Sequence, residues 1–197
     1  MPRPRSNRRE EIAAVAAGVT YQQGFRATTL AEVAQHAKVP VGSVYYYFKT
    51  KEELGSAVVG TLATRYAELR DGWDAAGDPR DALQAFVRMT VDNAGSLARF
   101  GCPIGSLASE LGKQDAELAA ELADVFRQTL AWAAARFVAL DCDKETAEAH
   151  ALQLLSALEG ASLLAHMFTS HAPVEREGAR LLDWLQSFGA PPIGKEP

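Results

Sequence analysis

The sequence predicts an all-α protein, and three observations predict it. Ala is abundant and β-branched runs are rare, which favours helix. Apolar residues recur three and four positions apart along most of the 197-residue chain, and no strand-like alternation stands out. Capping-box sequences and Gly/Pro breaks cut this pattern into about nine helices. The first three are short and closely spaced. The chain therefore divides into an N-terminal tri-helical domain with a helix-turn-helix at 1–52 and a C-terminal helical domain at 53–197.

Residues 1–6 are Arg- and Pro-rich and read as a disordered basic arm. A first helix is expected to start near Asn7, with Glu10 as its capping-box partner. Ile12, Val15, Ala16 and Val19 give it one buried face. Gly24 ends it, and Phe25 is expected to fold back onto the core. Thr29-Leu30-Ala31-Glu32 is a second capping box, with Leu30, Val33, Ala34 and Ala37 as the inner face of a short second helix. A turn at Ala37-Lys38-Val39 leads to Pro40, suited to the first position of a third helix. That helix covers 41–48, with Val41, Val44 and Phe48 inward. Thr50-Lys51-Glu52-Glu53 opens a fourth helix to about Arg70. The Gly/Asp-rich stretch 71–79 is a break and a hinge candidate. Further helices are expected at 80–99, 104–112, 115–140, 144–170 and 174–188, and a loose tail from Gly189.

The net charge of −5 speaks against a nucleic-acid binder, but its distribution reverses that. Residues 1–52 carry eight Lys/Arg and four acids, net +4, and the remainder is net −9. A basic head on an acidic body is expected where only the head meets phosphate. Cys102 and Cys142 form no CxxC or Cys/His cluster, so no metal site or cofactor is expected. There is no HExxH, no Gly-rich phosphate loop and no local nucleophile–His–carboxylate group, which argues against an enzyme. The N-terminus lacks the apolar stretch of a signal peptide, and no run of about 18 apolar residues suggests a membrane span. A cytoplasmic protein is expected.

The third helix carries the sharpest signal. Tyr45, Tyr46 and Tyr47 are consecutive, and successive helical residues point about 100° apart, so they cannot share one core-facing side. With Val41, Val44 and Phe48 inward, Tyr46 and Tyr47 should be well exposed and Tyr45 marginal. Exposed tyrosines offer hydroxyls to phosphates and ring edges to thymine methyls. Gly42 and Ser43 are small and sit at the helix N-terminus, where the backbone can approach base edges. Lys49 and Lys51 flank the start of the fourth helix, where they oppose its dipole. A phosphate there would accept free backbone N–H groups and neutralise both lysines. Thr28 and Thr29 are expected to act similarly at the second helix.

The stretch Thr29-Leu30-Ala-Glu-Val33-Ala34-x2-Ala37-x-Val39-x2-Gly42-Ser43-Val44-Tyr45-Tyr46-Tyr47-Phe48-Lys49-x-Lys51-x2-Leu54 closely resembles the DNA-binding signature of the TetR family. The resemblance covers residues 8–54 and implies an all-helical homodimer with a C-terminal ligand-binding and dimerisation domain. It implies that Gly42, Ser43, Tyr45 and Tyr47 approach bases, and that Thr29, Tyr46, Lys49 and Lys51 hold phosphates. Two positions depart from the family pattern. The usual turn Gly is Lys38, and a left-handed non-Gly residue costs about 1 kcal/mol, which a phosphate contact by Lys38 would offset. The usual Ser or Thr cap of the recognition helix is Pro40.

In the body, the helices at 144–170 and 174–188 are rich in apolar residues, with small Gly160 and Ala161 allowing close approach. The resemblance implies that they pair with their copies in a four-helix interface, for which Leu158, Ala161, Ala165, Phe168, Leu181, Trp184 and Leu185 are the candidates. The same faces could instead fill the subunit core. Candidate effector contacts, from helices 80–99, 104–112, 115–140 and 144–170, are Phe86, Met89, Asn93, Leu107, Phe126, Leu130, Leu155, Glu159 and His166. Polar residues such as Asn93, Glu159 and His166 on apolar stretches are more often satisfied core groups than ligand contacts. Trp132 and Phe137 read as core. Cys102 lies in Phe100-Gly101-Cys102-Pro103, which resembles a junction in TetR proteins that include electrophile sensors. A cysteine at a helix start can be reactive; a buried inert thiol is the alternative. The expected function is a transcriptional regulator that binds a palindromic operator as a homodimer and is released by a small hydrophobic or reactive effector. The alternative is a ligand-independent or structural DNA-binding protein.

Overall fold

The computed structural model describes residues 5–75, 77–111 and 115–188. Among these it contains ten helices and no strand: α1 (Arg5–Gln23), α2 (Leu30–His36), α3 (Val41–Tyr47), α4 (Lys51–Asp74), α5 (Pro79–Asp92), α6 (Ala94–Phe100), α7 (Pro103–Leu111), α8 (Ala116–Ala139), α9 (Lys144–Phe168) and α10 (Ala172–Gln186). They form two compact units. One holds Met1–Ala67 and Pro103–Val125, the other Glu68–Cys102 and Phe126–Pro197. The division falls inside α4 and α8.

In the first unit α1 begins at Arg5, so Asn7 lies inside the helix and forms no cap with Glu10. No helix breaker separates Arg5 from Asn7. Residues 1–4 of the expected arm, and the tail from Gly189, lie outside the described residues. Gly24 ends α1 at φ 85°, and Phe25 is buried behind it. The capping box of α2 is complete: the Glu32 N–H donates to Thr29 Oγ1 at 3.2 Å and the Thr29 N–H donates to the Glu32 carboxylate at 2.8 Å. Removing this cap should be measurable. We expect Thr29→Ala to cost about 1 kcal/mol, or about 2–4 °C in melting temperature for a chain of this size, read by calorimetry. An unchanged melting temperature would show that the cap contributes nothing to stability.

Lys38 adopts the left-handed conformation at φ 55°. Its N–H donates to the Gln35 carbonyl at 3.1 Å, and that of Val39 to the Ala34 carbonyl at 3.0 Å. These two bonds close α2 in a Schellman motif and offset the strain at Lys38. Pro40 is the N-cap of α3, one residue before the expected position, and provides no side-chain cap.

α4 runs four residues past Arg70, to Asp74. Its last turn is held by tertiary contacts. Trp73 packs on Phe86 and Trp132 at ring separations of 4.9 and 5.1 Å. The Asp74 carboxylate accepts from Trp132 Nε1 at 3.0 Å and pairs with the Arg136 guanidinium. The stretch expected as one helix at 80–99 is two, α5 and α6, because Asn93 interrupts it. Asn93 leaves helical geometry and its side-chain NH₂ donates to the Met89 carbonyl at 2.7 Å. The following Ala-Gly-Ser offers little helical propensity to resist the break.

The core of the second unit gathers α5, α8, α9 and α10 around Leu83, Val87, Phe137, Leu154, Leu158, Leu181 and Leu185. Trp132 and Phe137 are buried in it, as expected. Phe137, His150, Trp184 and Phe188 form an aromatic cluster with centroids 5.2–5.5 Å apart. Among the described residues α9 alone is long and apolar enough to cross a membrane, with a mean hydropathy of 1.2 over an 18-residue window. The sequence reading expected no such stretch. One face of α9 lies in the core of this unit, so its apolar residues serve packing.

Candidate nucleic-acid interface

α3 separates its two faces sharply. Val44 and Phe48 are fully buried, while Tyr45 and Tyr46 are 49% and 62% exposed. The expected order of the tyrosines is partly reversed: Tyr45 is exposed and Tyr47 is half-buried. Two features explain this. Val41, expected inward, is 43% exposed, so the buried stripe narrows to Val44 and Phe48. The Tyr46 ring also packs edge-on against Tyr47 at 5.0 Å and shields it. Gly42 is exposed, with open space where a Cβ would stand, and Ser43 is half-buried.

Cations bracket this face. Lys38 is exposed at the turn before α3. Lys49 follows α3, with its ammonium 5.6 Å from the Tyr46 ring centroid. Arg9 of α1 stacks on Phe48 at 4.9 Å, a contact that no local sequence pattern signals. Lys51 is half-buried; its ammonium donates to the Arg26 carbonyl at 2.8 Å and lies 5.1 Å from the Phe25 centroid.

Several expected phosphate donors are already engaged. Thr28 is fully buried and its hydroxyl donates to the Gly24 carbonyl at 2.8 Å, so its side chain does not reach the surface. The Thr29 N–H and hydroxyl are both engaged by Glu32. These bonds hold the Glu32 carboxyl below the usual carboxylate range, the Thr29 backbone N–H contributing most. The α4 N-terminus was expected to leave N–H groups free. Instead the Lys49 N–H donates to Glu53 Oε2 at 2.7 Å and the Glu53 N–H to Thr50 Oγ1 at 3.2 Å. Polar side chains fill the positions a phosphate would take.

The expected dimer residues mostly face inward. Leu158, Ala161, Ala165, Leu181 and Leu185 are buried within the second unit, and Trp184 belongs to its aromatic cluster. Of that set only Phe168 is well exposed, at 64%. The outward face of α9 is a different stripe, Leu152, Leu163, Leu164, Met167 and Phe168. Its spacing is readable in the sequence as a second apolar stripe, but the choice between the two stripes is not.

The expected effector residues disperse. Phe86 and Leu155 are buried core, and Met89, Phe126 and Leu130 pack against them. Asn93 is an exposed cap and His166 is exposed, because each sits on the outer side of its helix. Leu107 is buried in the first unit. Cys102 and Glu159 do meet. The half-buried Glu159 carboxyl is pushed up by burial, an effect opposed by its hydrogen bond with Cys102. A separate cleft of about 300 Å³ is lined by Asp74, Asp78, Pro79 and Arg136 among others, and by none of the expected residues. Both cysteines are free thiols. Among the described residues no group of three or more His, Cys, Asp or Glu could hold a metal ion.

A short tri-helical head with an exposed, cation-flanked third helix, followed by a larger helical unit, defines a helix-turn-helix regulator. Comparison with known proteins agrees. Residues 12–58 match the model of bacterial regulatory proteins of the tetR family, and residues 79–179 match that of the LmrA/YxaF-like transcriptional regulator C-terminal domain. The chain belongs to the TetR family of transcriptional regulators, a family of DNA-binding proteins and not of enzymes. It is 30% identical over 173 residues to the uncharacterized HTH-type transcriptional regulator Rv0196 of Mycobacterium tuberculosis, covering 85% of this chain and 88% of that one. It is 32% identical over 94 residues to the transcriptional regulator AcuR of Cereibacter sphaeroides, covering 46% of this chain and only 43% of that relative. A TetR regulator from Legionella pneumophila shares its fold with a TM-score of 0.80 at 21% identity, over 95% of this chain and 100% of the other. The reduced form of E. coli NemR superposes with a TM-score of 0.70 at 24% identity, over 90% and 97%.

Proposed function

We propose that this regulator binds a palindromic DNA operator as a homodimer and is released by a small-molecule effector. The observation that supports the reading most directly is the outward face of α3, where Val41, Gly42, Tyr45 and Tyr46 stand exposed between Lys38 and Lys49. Each recognition helix would enter one major groove, and a dimer would read half-sites about one helical turn apart. Tyr45, Gly42, Ser43 and Tyr47 would approach bases, while Tyr46, Thr29, Lys38, Lys49 and Lys51 would contact the phosphate backbone.

The exposed stripe of α9 supports the dimer. It is a contiguous apolar surface, and such surfaces mark protein contacts. The Cys102–Glu159 contact supplies a polar group on otherwise apolar helices, which is what an effector site needs for specificity. A ligand releases DNA only through different affinities for the bound and released states.

Selection of bound DNA from a random pool tests the reading, followed by fluorescence anisotropy on the enriched site. Tyr45→Ala should weaken the selected site by about 1–3 kcal/mol while sparing nonspecific DNA. Lys49→Ala should weaken all sequences alike and lower the slope of log affinity against log salt by about one. A pool that enriches no sequence would overturn the operator reading.

A further inference from the structure

The turn between α1 and α2 is gripped from two sides, and both grips fall on the same two residues. On one side is Glu110 of α7. Its Oε2 accepts the Phe25 N–H at 2.8 Å and its Oε1 accepts the Arg26 N–H at 2.6 Å. One carboxylate thus satisfies two successive backbone donors, a charge-assisted arrangement about twice as strong as neutral pairs. Gly24, just before them, has φ 85°, and a Cβ there would lie 3.2 Å from Glu110 Oε2. On the other side is Lys51, whose ammonium donates to the Arg26 carbonyl at 2.8 Å and lies over the Phe25 ring.

Arg26 therefore carries the carboxylate on its N–H and the ammonium on its carbonyl. Lys51 has three donors, and the Arg26 carbonyl takes one. The remaining donors are aimed by that bond. If the turn moves, the ammonium loses its anchor and its orientation. Glu110 lies 84 residues along the chain from Arg26, on the helix that follows the Gly101-Cys102-Pro103 bend, so the placement of α7 sets the placement of the turn.

We propose that Glu110 is a positioning residue for DNA binding, which holds the Phe25–Arg26 turn and through it aims Lys51 at a backbone phosphate. The proposal rests on the DNA-binding reading above. It differs from a purely structural role in one respect: its effect on DNA passes through Lys51.

The test uses the full chain, the DNA site selected by the wild type, and anisotropy at several salt concentrations. Glu110→Gln keeps the size of the side chain but turns an NH₂ group towards a backbone N–H. Glu110→Asp keeps the charge but shortens the reach. Both are expected to weaken binding about tenfold, about 1.4 kcal/mol, and to lower the salt slope by about one, the signature of one lost phosphate contact. In a Lys51→Ala background the same changes should weaken binding less than about twofold, because the coupled residue is already gone. Additive losses, an unchanged salt slope, or unchanged affinity would each overturn the proposal. Loss of the helical circular-dichroism signal in both variants would also overturn it, since Glu110 would then be needed for folding itself. Failure of the wild type to select any DNA would instead remove the underlying reading, and is seen before any variant is made.

Discussion

Leu163→Glu is expected to turn the dimer into a monomer and to abolish tight operator binding. Leu163 is 58% exposed within one chain, so the substitution leaves the subunit core untouched and the helical signal should be unchanged. In a two-fold interface each substitution appears twice, facing its own copy or the same neighbours. Burying an unpaired carboxylate in apolar contact costs about 3 kcal/mol or more, which corresponds to at least about a hundredfold in dimer affinity. The operator affinity should fall with it, because two linked heads bind far more tightly than one. Sedimentation equilibrium reads the mass directly. A variant that remains dimeric at micromolar concentration would place the interface elsewhere.

Phe137→Ala is expected to be the most destabilising single change in the second unit. Phe137 is completely buried, and its ring meets those of His150, Trp184 and Phe188 at 5.2–5.5 Å. Truncating a buried Phe removes transfer energy and leaves a cavity, together about 3–5 kcal/mol. For a chain of this size that is about 6–20 °C in melting temperature. Differential scanning calorimetry measures it, and a loss below about 1 kcal/mol would mean that the neighbouring rings collapse into the space.

The local features were legible because they are decided within a few residues. The Thr29–Glu32 box, the Gly24 helix end, the left-handed Lys38 and the buried pair Val44 and Phe48 all follow from contacts of four residues or fewer. Where the local signal was weak, distant contacts prevailed. Trp73 and Asp74 extended α4 because Trp132 and Arg136 receive them. Asn93 split a helix that apolar periodicity alone reads as continuous. Thr28 looked like a surface donor beside Thr29, yet its hydroxyl turns inward to Gly24.

The sequence by itself determined the class of this protein. Its all-helical pattern, its basic head and the Thr29–Leu54 signature identify the family, because residue spacing on a helix dictates which side chains share a face. Tertiary structure alone decided which of the two apolar stripes of α9 is core and which is surface, since both have helical period and only neighbouring helices can cover one of them. It also decided the interface around residues 28 to 51. The exposed α3 face agrees with the motif, but Thr28 withdraws from it, Glu53 and Thr50 occupy the α4 N-terminus, and Glu110, remote in sequence, holds the turn that anchors Lys51. A carboxylate that bonds two backbone N–H groups more than eighty residues away leaves no local pattern, because its partners are main-chain groups that every sequence contains.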